Sequence, residues 1–496
     1  MSGFPLPQGI NLRHPDRIFV GGEWAESSTG RRIDVISPNS ETMVAQVSEA
    51  GAADMDAAVA AARTAFDGGP WPFMPPAERI AYIRKMGEIL KSREPELAKA
   101  WTEQVGGLAT MAPGMVAGGT AAFLGTVALG EEFGFVEKVP SPVAHSAFLV
   151  REPVGVVAAI APWNGPYMIM ANKVAAALVA GCTVIMKPSP ETPIEAYIMA
   201  EAAEEAGLPG GVLNLVCGHR EASHHLICNP GVDKVSFTGS TTAGKRIGSV
   251  CGERVARCTL ELGGKSAAIL LDDFPTEAAA KLLTSTIALF SGQICAMLSR
   301  VIVPRKRHDE LAEAIADEMK QVRIGYSDAP DTQLGPLAME RQLERVQAFV
   351  ETGRTEGATL MTGGNRPSHL NRGYFIEPTL FANVRNDMVI AQEEIFGPVL
   401  SLIPCEDTQD AIRIANDSHY GLNGSVLTND ADEAYRIARR VRTGGVGQNG
   451  MRADFSLPFG GFKQSGLGRE GGLPGLLSYT EMKTILLDDM PSGALV

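Results

Sequence analysis

The sequence carries no surplus of positive charge. Its 44 Lys and Arg stand against 57 Asp and Glu, a formal net charge of −13. That excludes the cationic face on which non-specific nucleic-acid binding depends. Cysteine is scarce and unpatterned: seven residues, an odd number, with no CxxC pair and no metal-ligand spacing. Neither a disulfide framework nor a metal site is expected, and reduced thiols in a cytoplasm are. The longest mainly apolar run, Val174–Met186, has 13 residues, short of the roughly 18 a membrane span needs. The opening residues, MSGFPLPQGINLRHP, contain no apolar signal core and no basic leader, so export is not expected. Internal repeats and low-complexity tracts are also lacking.

What is present suits a large folded chain. Of 496 residues, 45% are hydrophobic and 20% charged, which is ordinary for globular proteins and excludes disorder as the main state. At roughly 100–200 residues per domain the chain holds two to four domains. Short strands are predicted at Arg17–Val20 and Arg32–Ile36, and helices at Asp54–Phe66 and Ala77–Val105. Pro95 should interrupt the second helix. The Gly/Ala-rich stretch 106–135 also reads as helix. From residue 148 the pattern changes. Apolar runs at Val154–Ala161, Thr183–Met186, Val212–Val216, Lys234–Phe237 and Ala267–Leu271 alternate with helices near Tyr167–Ala180 and Ile194–Ala206. Short, non-alternating runs separated by helices predict a parallel sheet buried on both faces. A second α/β section follows. Its helices are predicted near 276–290, 307–322, 339–356 and 430–442, and its strands at Arg300–Val303, Val399–Ile403, Ser425–Leu427 and Val446–Asn449.

Ligands of such sheets bind beyond the carboxyl ends of the strands, so the residues just after each run are searched first. Asn164, in the Pro162–Trp163–Asn164–Gly165 turn, offers two N–H donors. Lys187 ends the second run and could reach a ribose or a phosphate, or stand solvated. Gly239, Ser240 and Gly244 open a helix after a strand, and a helix N-terminus suits a pyrophosphate; a plain tight turn fits the same residues. Glu261 lies in an apolar stretch beside Gly263–Gly264, where desolvation raises a carboxyl pKa toward that of a general base. Pairing with Lys265 is its structural alternative. Cys295, after a Gly–Gln turn, is the best nucleophile candidate. The other six cysteines read as small buried hydrophobes. Glu394 and Phe396, near a Gly–Pro stop, could hold ribose hydroxyls and a flat ring.

Taken together and in this order, the segments resemble the aldehyde dehydrogenase superfamily. They are PWNGP at 162–166, KPS at 187–189, FTGSTTAG at 237–244, LELGGK at 260–265, GQIC at 292–295, EEIFGP at 393–398 and PFGGFKQSGLGRE at 458–470. The match runs from about Ile18 to Leu487. The resemblance implies an α/β fold: a Rossmann-like dinucleotide-binding domain (1–129 and 152–262), an α/β catalytic domain (263–448), and a small β oligomerisation element (130–151 and 478–496). Residues 449–477 would close the substrate tunnel. It further implies Cys295 as the nucleophile, Asn164 as an oxyanion donor, and Glu261 as the base that activates the thiol or the hydrolytic water. Lys187 and Glu394 become ribose ligands. Gly239, Ser240 and Gly244 become the pyrophosphate contact, and Phe396 and Trp163 the lining of the cofactor site. The implied chemistry is thiol addition, hydride transfer to NAD and hydrolysis of a thioester. A homodimer or homotetramer is implied, with no metal.

Two positions depart from the family pattern. Phe290 stands where Asn is common, and Gly165 replaces a bulky aromatic after the Asn. Cofactor choice rests on the residues after Lys187. Pro190 takes the place of the usual acid, Glu191 follows, and no arginine is close in sequence, so NAD is expected to be preferred with NADP possible. Gly165, Gly118 and Gly119, with Met115, Tyr167, Met168, Phe455 and Phe459, suggest a roomy apolar tunnel for aromatic or longer aliphatic aldehydes. Arg452 is the residue that could instead hold a carboxylated substrate. A CoA-acylating relative would lack the acid at Glu261, and an idle binding protein would have lost the intact set.

Overall fold

The computed structural model describes residues 4–492. Residues 1–3, and the last four of the 478–496 segment, lie outside that span. The described residues form two large sheets flanked by helices, a three-stranded sheet, and a two-stranded antiparallel pair, Arg32–Ile36 with Met43–Ser48.

In the first sheet five parallel strands lie in the order Arg257–Glu261, Lys234–Thr238, Val156–Ile160, Thr183–Lys187 and Leu213–Leu215. Ile18–Val20 adds antiparallel to the last of these. Val156–Ile160, Thr183–Lys187 and Lys234–Thr238 are buried at every position, which is why the sequence shows unbroken apolar runs there. Strand order reverses beside Val156–Ile160, so the turns after it and after Lys234–Thr238 flank a topological switch point.

The second sheet runs Thr359–Thr362, Thr379–Ala382, Val399–Cys405, Leu298–Pro304, Ser266–Leu270, Gly424–Leu427 and Gly447–Gln448. All its neighbours are parallel except the first pair. The third sheet joins Val136–Val139, Ser146–Pro153 and Thr480–Leu487 antiparallel.

Pro95 breaks the helix as expected. Pro76–Ser92 ends at Arg93, and Glu94–Val105 begins with Pro95 in its first turn, where the missing N–H has no intrahelical partner to lose. The 106–135 stretch is helical as expected, but it corrects the reading of Val174–Met186 as the longest apolar segment. It forms one helix, Ala112–Glu132, of 21 residues with mean hydropathy 1.4, so by length and composition one apolar segment does reach spanning size. Phe123 and Val127 bury its inner face, while Gly114, Gly118 and Gly125 lie on the exposed one. The strands Thr359–Thr362 and Thr379–Ala382 and the helix Thr408–Asn416 escaped the pattern reading. The helix expected near 430–442 shortens to Ala431–Ala438.

Candidate active site

The carboxyl edge of the first sheet meets the amino edge of the second in a cleft of about 380 Å³. Asn164, Gly239, Ser240 and Glu261 enter from the first sheet, and Cys295, Glu394 and Phe396 from the second. Strand-end reasoning therefore applies to the first sheet alone. Cys295 and Glu394 precede the strands Leu298–Pro304 and Val399–Cys405.

Asn164 is held from two sides. Its side-chain Nδ2 donates to the carbonyl of Gln293 at 2.9 Å, and its own carbonyl accepts from Trp101 Nε1 at 3.1 Å. The Cys295 thiol is pushed up to about 12, by burial first and then by the Glu394 and Glu261 carboxyls. It is protonated at neutral pH and needs a base.

Glu261 pairs with Thr238 across the strands, and its carbonyl accepts from Gly239 N–H at 3.0 Å. Neither carboxyl oxygen has a hydrogen-bond partner among the described residues. Burial, reinforced by the Glu470 carboxyl, holds its pKa well above the ordinary carboxylate range. Pairing with Lys265, the structural alternative, is not what the structure shows. The Lys265 ammonium has no hydrogen-bond partner among the described residues, and burial brings it down to about 7.

Glu470 itself accepts from Lys173 and, at 3.2 Å, from Ser236 Oγ, which in turn receives the Tyr479 hydroxyl at 2.9 Å. This buried polar chain behind Glu261 is absent from the sequence reading. Its signals were a lysine midway along an apolar helix and the last residue of the 458–470 motif.

Glu394 is pushed up to about 7, by burial. Its Oε1 accepts from Gly264 N–H at 2.9 Å, and its carbonyl from Arg345 at 2.6 Å. Phe396, at φ +62°, sets its ring edge-on to Trp163 at 5.3 Å. Ser240 caps the helix Thr241–Arg254, accepting from Ala243 N–H at 3.3 Å. Lys187 is buried at the end of its strand, and burial lowers its pKa. Lys187 and Gly244 are not among the cleft-lining residues. A Cβ at Gly244 would come within 2.4 Å of Leu262, so this glycine lets the helix close on that side chain.

The chemistry of the lining fits a dinucleotide. A capped helix N-terminus faces the cleft, and a buried acid whose pKa matches neutral pH stands opposite.

The glycine at 264 links two of these groups. A Cβ there would lie 2.4 Å from the Cys295 carbonyl oxygen, and its N–H holds Glu394. Gly264→Ala is expected to lower kcat by about 10²-fold, through displacement of the Cys295 segment. Initial rates check this; an unchanged kcat would mean that the segment yields without moving the thiol.

A larger cleft of about 1150 Å³ is lined by Gly118, Ala121, Met168, Arg452, Phe455 and Phe459 among others. Gly119 does not widen it, because a Cβ there would stand 3.0 Å from the Tyr167 ring. Tyr167 is buried and bonds Thr120 at 2.9 Å. Arg452 is exposed, and among the described residues its side chain makes one hydrogen bond, to the Gln448 carbonyl at 3.4 Å.

Residues 24–485 match the model of the aldehyde dehydrogenase family. The chain belongs to this family. It is 42% identical over 471 residues to geranial dehydrogenase of Castellaniella defragrans, covering 95% of this chain and 98% of that one. It is 41% identical over 479 residues to 3-succinoylsemialdehyde-pyridine dehydrogenase of a Pseudomonas species, covering 96% and 99%. A crystal structure of Mycobacterium tuberculosis aldehyde dehydrogenase complexed with NAD+ superposes with TM-score 0.92 at 42% identity, covering 98% of this chain and 100% of that one. Betaine aldehyde dehydrogenase of Staphylococcus aureus in complex with NAD+ gives TM-score 0.94 at 34% identity, covering 97% and 96%. This aldehyde dehydrogenase is thus an oxidoreductase acting on aldehydes with a nicotinamide cofactor.

Proposed function

We propose that this enzyme oxidises an aromatic or longer aliphatic aldehyde to its carboxylic acid, with NAD preferred and NADP also used. The observation that carries the reading is the convergence of Cys295, Glu261, Asn164 and Glu394 on one cleft. Glu261 draws the proton from the Cys295 thiol, and the thiolate adds to the carbonyl carbon. The second N–H of Asn164 and the backbone N–H of Cys295 stabilise the resulting oxyanion. The nicotinamide, when bound, accepts hydride from the tetrahedral adduct. Once Glu261 has released the thiol proton to solvent, it takes a proton from water, whose oxygen adds to the thioester carbonyl and expels the Cys295 thiolate, leaving the carboxylic acid. Glu394 and Lys187 hold ribose hydroxyls, and Gly239 and Ser240 the pyrophosphate. Gly244 supports that contact by letting the helix pack closely, and Trp163 with Phe396 walls the cofactor site. The three-stranded sheet supports pairing between copies as a homodimer or homotetramer, since its outer strands have no further partner strand among the described residues. Sheet membership supports the division into the proposed domains, and the compartment we infer is the cytoplasm.

Arg341 qualifies the cofactor reading. No arginine is close to Glu191 in sequence, yet Arg341 pairs with it across 150 positions. A 2′-phosphate would meet an acid already neutralised by a base. Glu191→Ala frees Arg341 and is expected to raise the NADP-to-NAD ratio of kcat/KM by about tenfold; an unchanged ratio would place the 2′ position elsewhere.

The larger cleft, with its mostly small and apolar lining, supports a bulky apolar substrate, and so does the name of the relative geranial dehydrogenase. Initial rates with NAD and no CoA, across aromatic, aliphatic and carboxylated aldehydes, test the proposal. Fastest turnover on bulky apolar aldehydes agrees with it. Fastest turnover on carboxylated aldehydes would shift substrate binding to Arg452. Turnover only after CoA is added would overturn the hydrolytic role of Glu261.

A further inference from the structure

The loop that carries the nucleophile begins in a strained conformation. Phe290 (φ +49°, ψ +30°) and Ser291 (φ +55°, ψ +37°) are both left-handed, and Gly292 follows at φ +76°. Two successive non-glycine residues of this kind persist only where their surroundings over-determine them. Ser291 Oγ is tied to the Gly335 carbonyl at 2.7 Å. Gln293 binds the Phe290 carbonyl with its backbone N–H at 3.1 Å and its side-chain amide at 2.9 Å. The Phe290 ring meets the edge of Trp101, with centroids 4.7 Å apart at 62°.

Trp101 is buried in the helix Glu94–Val105, and its ring fills the place a Cβ at Gly107 would take, 2.1 Å away. Its Nε1–H goes to the Asn164 carbonyl at 3.1 Å. The Asn164 amide in turn donates to the carbonyl of Gln293 at 2.9 Å. Trp101, Asn164, Gln293 and Phe290 therefore form a closed ring of contacts joining the oxyanion donor to the nucleophile loop. A carboxamide has two N–H donors in one plane. With one fixed on Gln293 and the Asn164 main chain gripped by Trp101, the direction of the other is set.

We infer that Trp101 is a positioning residue, fixing the aim of the free Asn164 N–H at the developing oxyanion. This rests on the oxyanion role proposed for Asn164. Trp101→Phe keeps an aromatic ring against Phe290 and removes the N–H. It is expected to lower kcat about tenfold, with the KM for NAD unchanged. The rate of Cys295 alkylation by iodoacetamide, which needs the thiol and no oxyanion donor, should also be unchanged. In an Asn164→Ala background the same change should cost less than about twofold, because its target is gone. Should the phenylalanine variant not fold, replacing Trp101 with 3-benzothienylalanine, which carries sulfur in place of the N–H, gives the same comparison with little change of shape. An undiminished loss in the Asn164→Ala background, or alkylation slowed as much as turnover, would overturn the inference. Full activity of Asn164→Ala alone would instead remove the oxyanion reading beneath it.

Discussion

Cys295→Ala is expected to lower aldehyde oxidation by at least about 10⁴-fold, because the covalent route has no other thiol to run through. Cys295 is, among the described residues, the cysteine that lines the cleft between the two large sheets. Cys182, Cys217 and Cys405 are fully buried, with thiols raised by desolvation. NAD affinity, measured by quenching of tryptophan fluorescence, should stay within about twofold, since the thiol is not among the groups that grip the cofactor. The chemistry of the thiol gives a second readout. Held near 12 by burial and two carboxyls, it should be alkylated at a rate rising about tenfold per pH unit between pH 7 and 9, in step with the thiolate fraction. Peptide-level mass spectrometry follows Cys295 separately from the exposed Cys228. A plateau below pH 8 would mean that another group stabilises the thiolate against burial and the two carboxyls. Residual activity above a per cent would mean a different nucleophile.

Glu261→Gln is expected to cut steady-state turnover by about 10²–10⁴-fold, the range of a lost general base. It is also expected to make the fold more stable at alkaline pH. Desolvation and the Glu470 carboxyl raise the Glu261 pKa in the folded state well above the 4.5 of an exposed glutamate. The folded protein therefore keeps a proton that the unfolded chain has released. That contribution is complete below pH 4.5 and is lost as pH rises toward the folded pKa. Glutamine, neutral throughout, escapes the loss. The Tm advantage of the variant should be absent near pH 4.5 and amount to a few degrees at pH 8. A variant less stable than the parent at pH 8 would mean that the carboxylate has a compensating partner. Loss of activity together with gain of stability is the mark of a group retained for chemistry.

Much of the first sheet was legible because its strands are buried on both faces and its helices are long. The helix Ile194–Ala206 has the boundaries that the pattern predicts. The short strands Thr359–Thr362 and Thr379–Ala382 were not, since four residues carry too little periodicity to separate from loop. The cleft residues were found through motifs whose order along the chain is more telling than any one of them. What motifs could not supply is pairing across long separations. Lys173 and Glu470 lie 297 positions apart, and Glu191 with Arg341 appears only once the helix Glu340–Thr355 is folded. Glycine misled in one place. Gly119 reads as space for a substrate, but Tyr167 already fills it, whereas Gly118 has nothing within 4 Å of its Cβ position and does open on the cleft.

The most direct test of the covalent, hydrolytic mechanism is the intact mass of Glu261→Gln after mixing with NAD and a reactive aldehyde. The expected result is one equivalent of NADH per subunit, released in a single-turnover burst that is slowed by loss of the base for the thiol and quickens as pH rises, and a protein heavier by one acyl group, mapped to the peptide containing Cys295. A burst without an adduct, an adduct on another residue, or full steady turnover without Glu261 would contradict it.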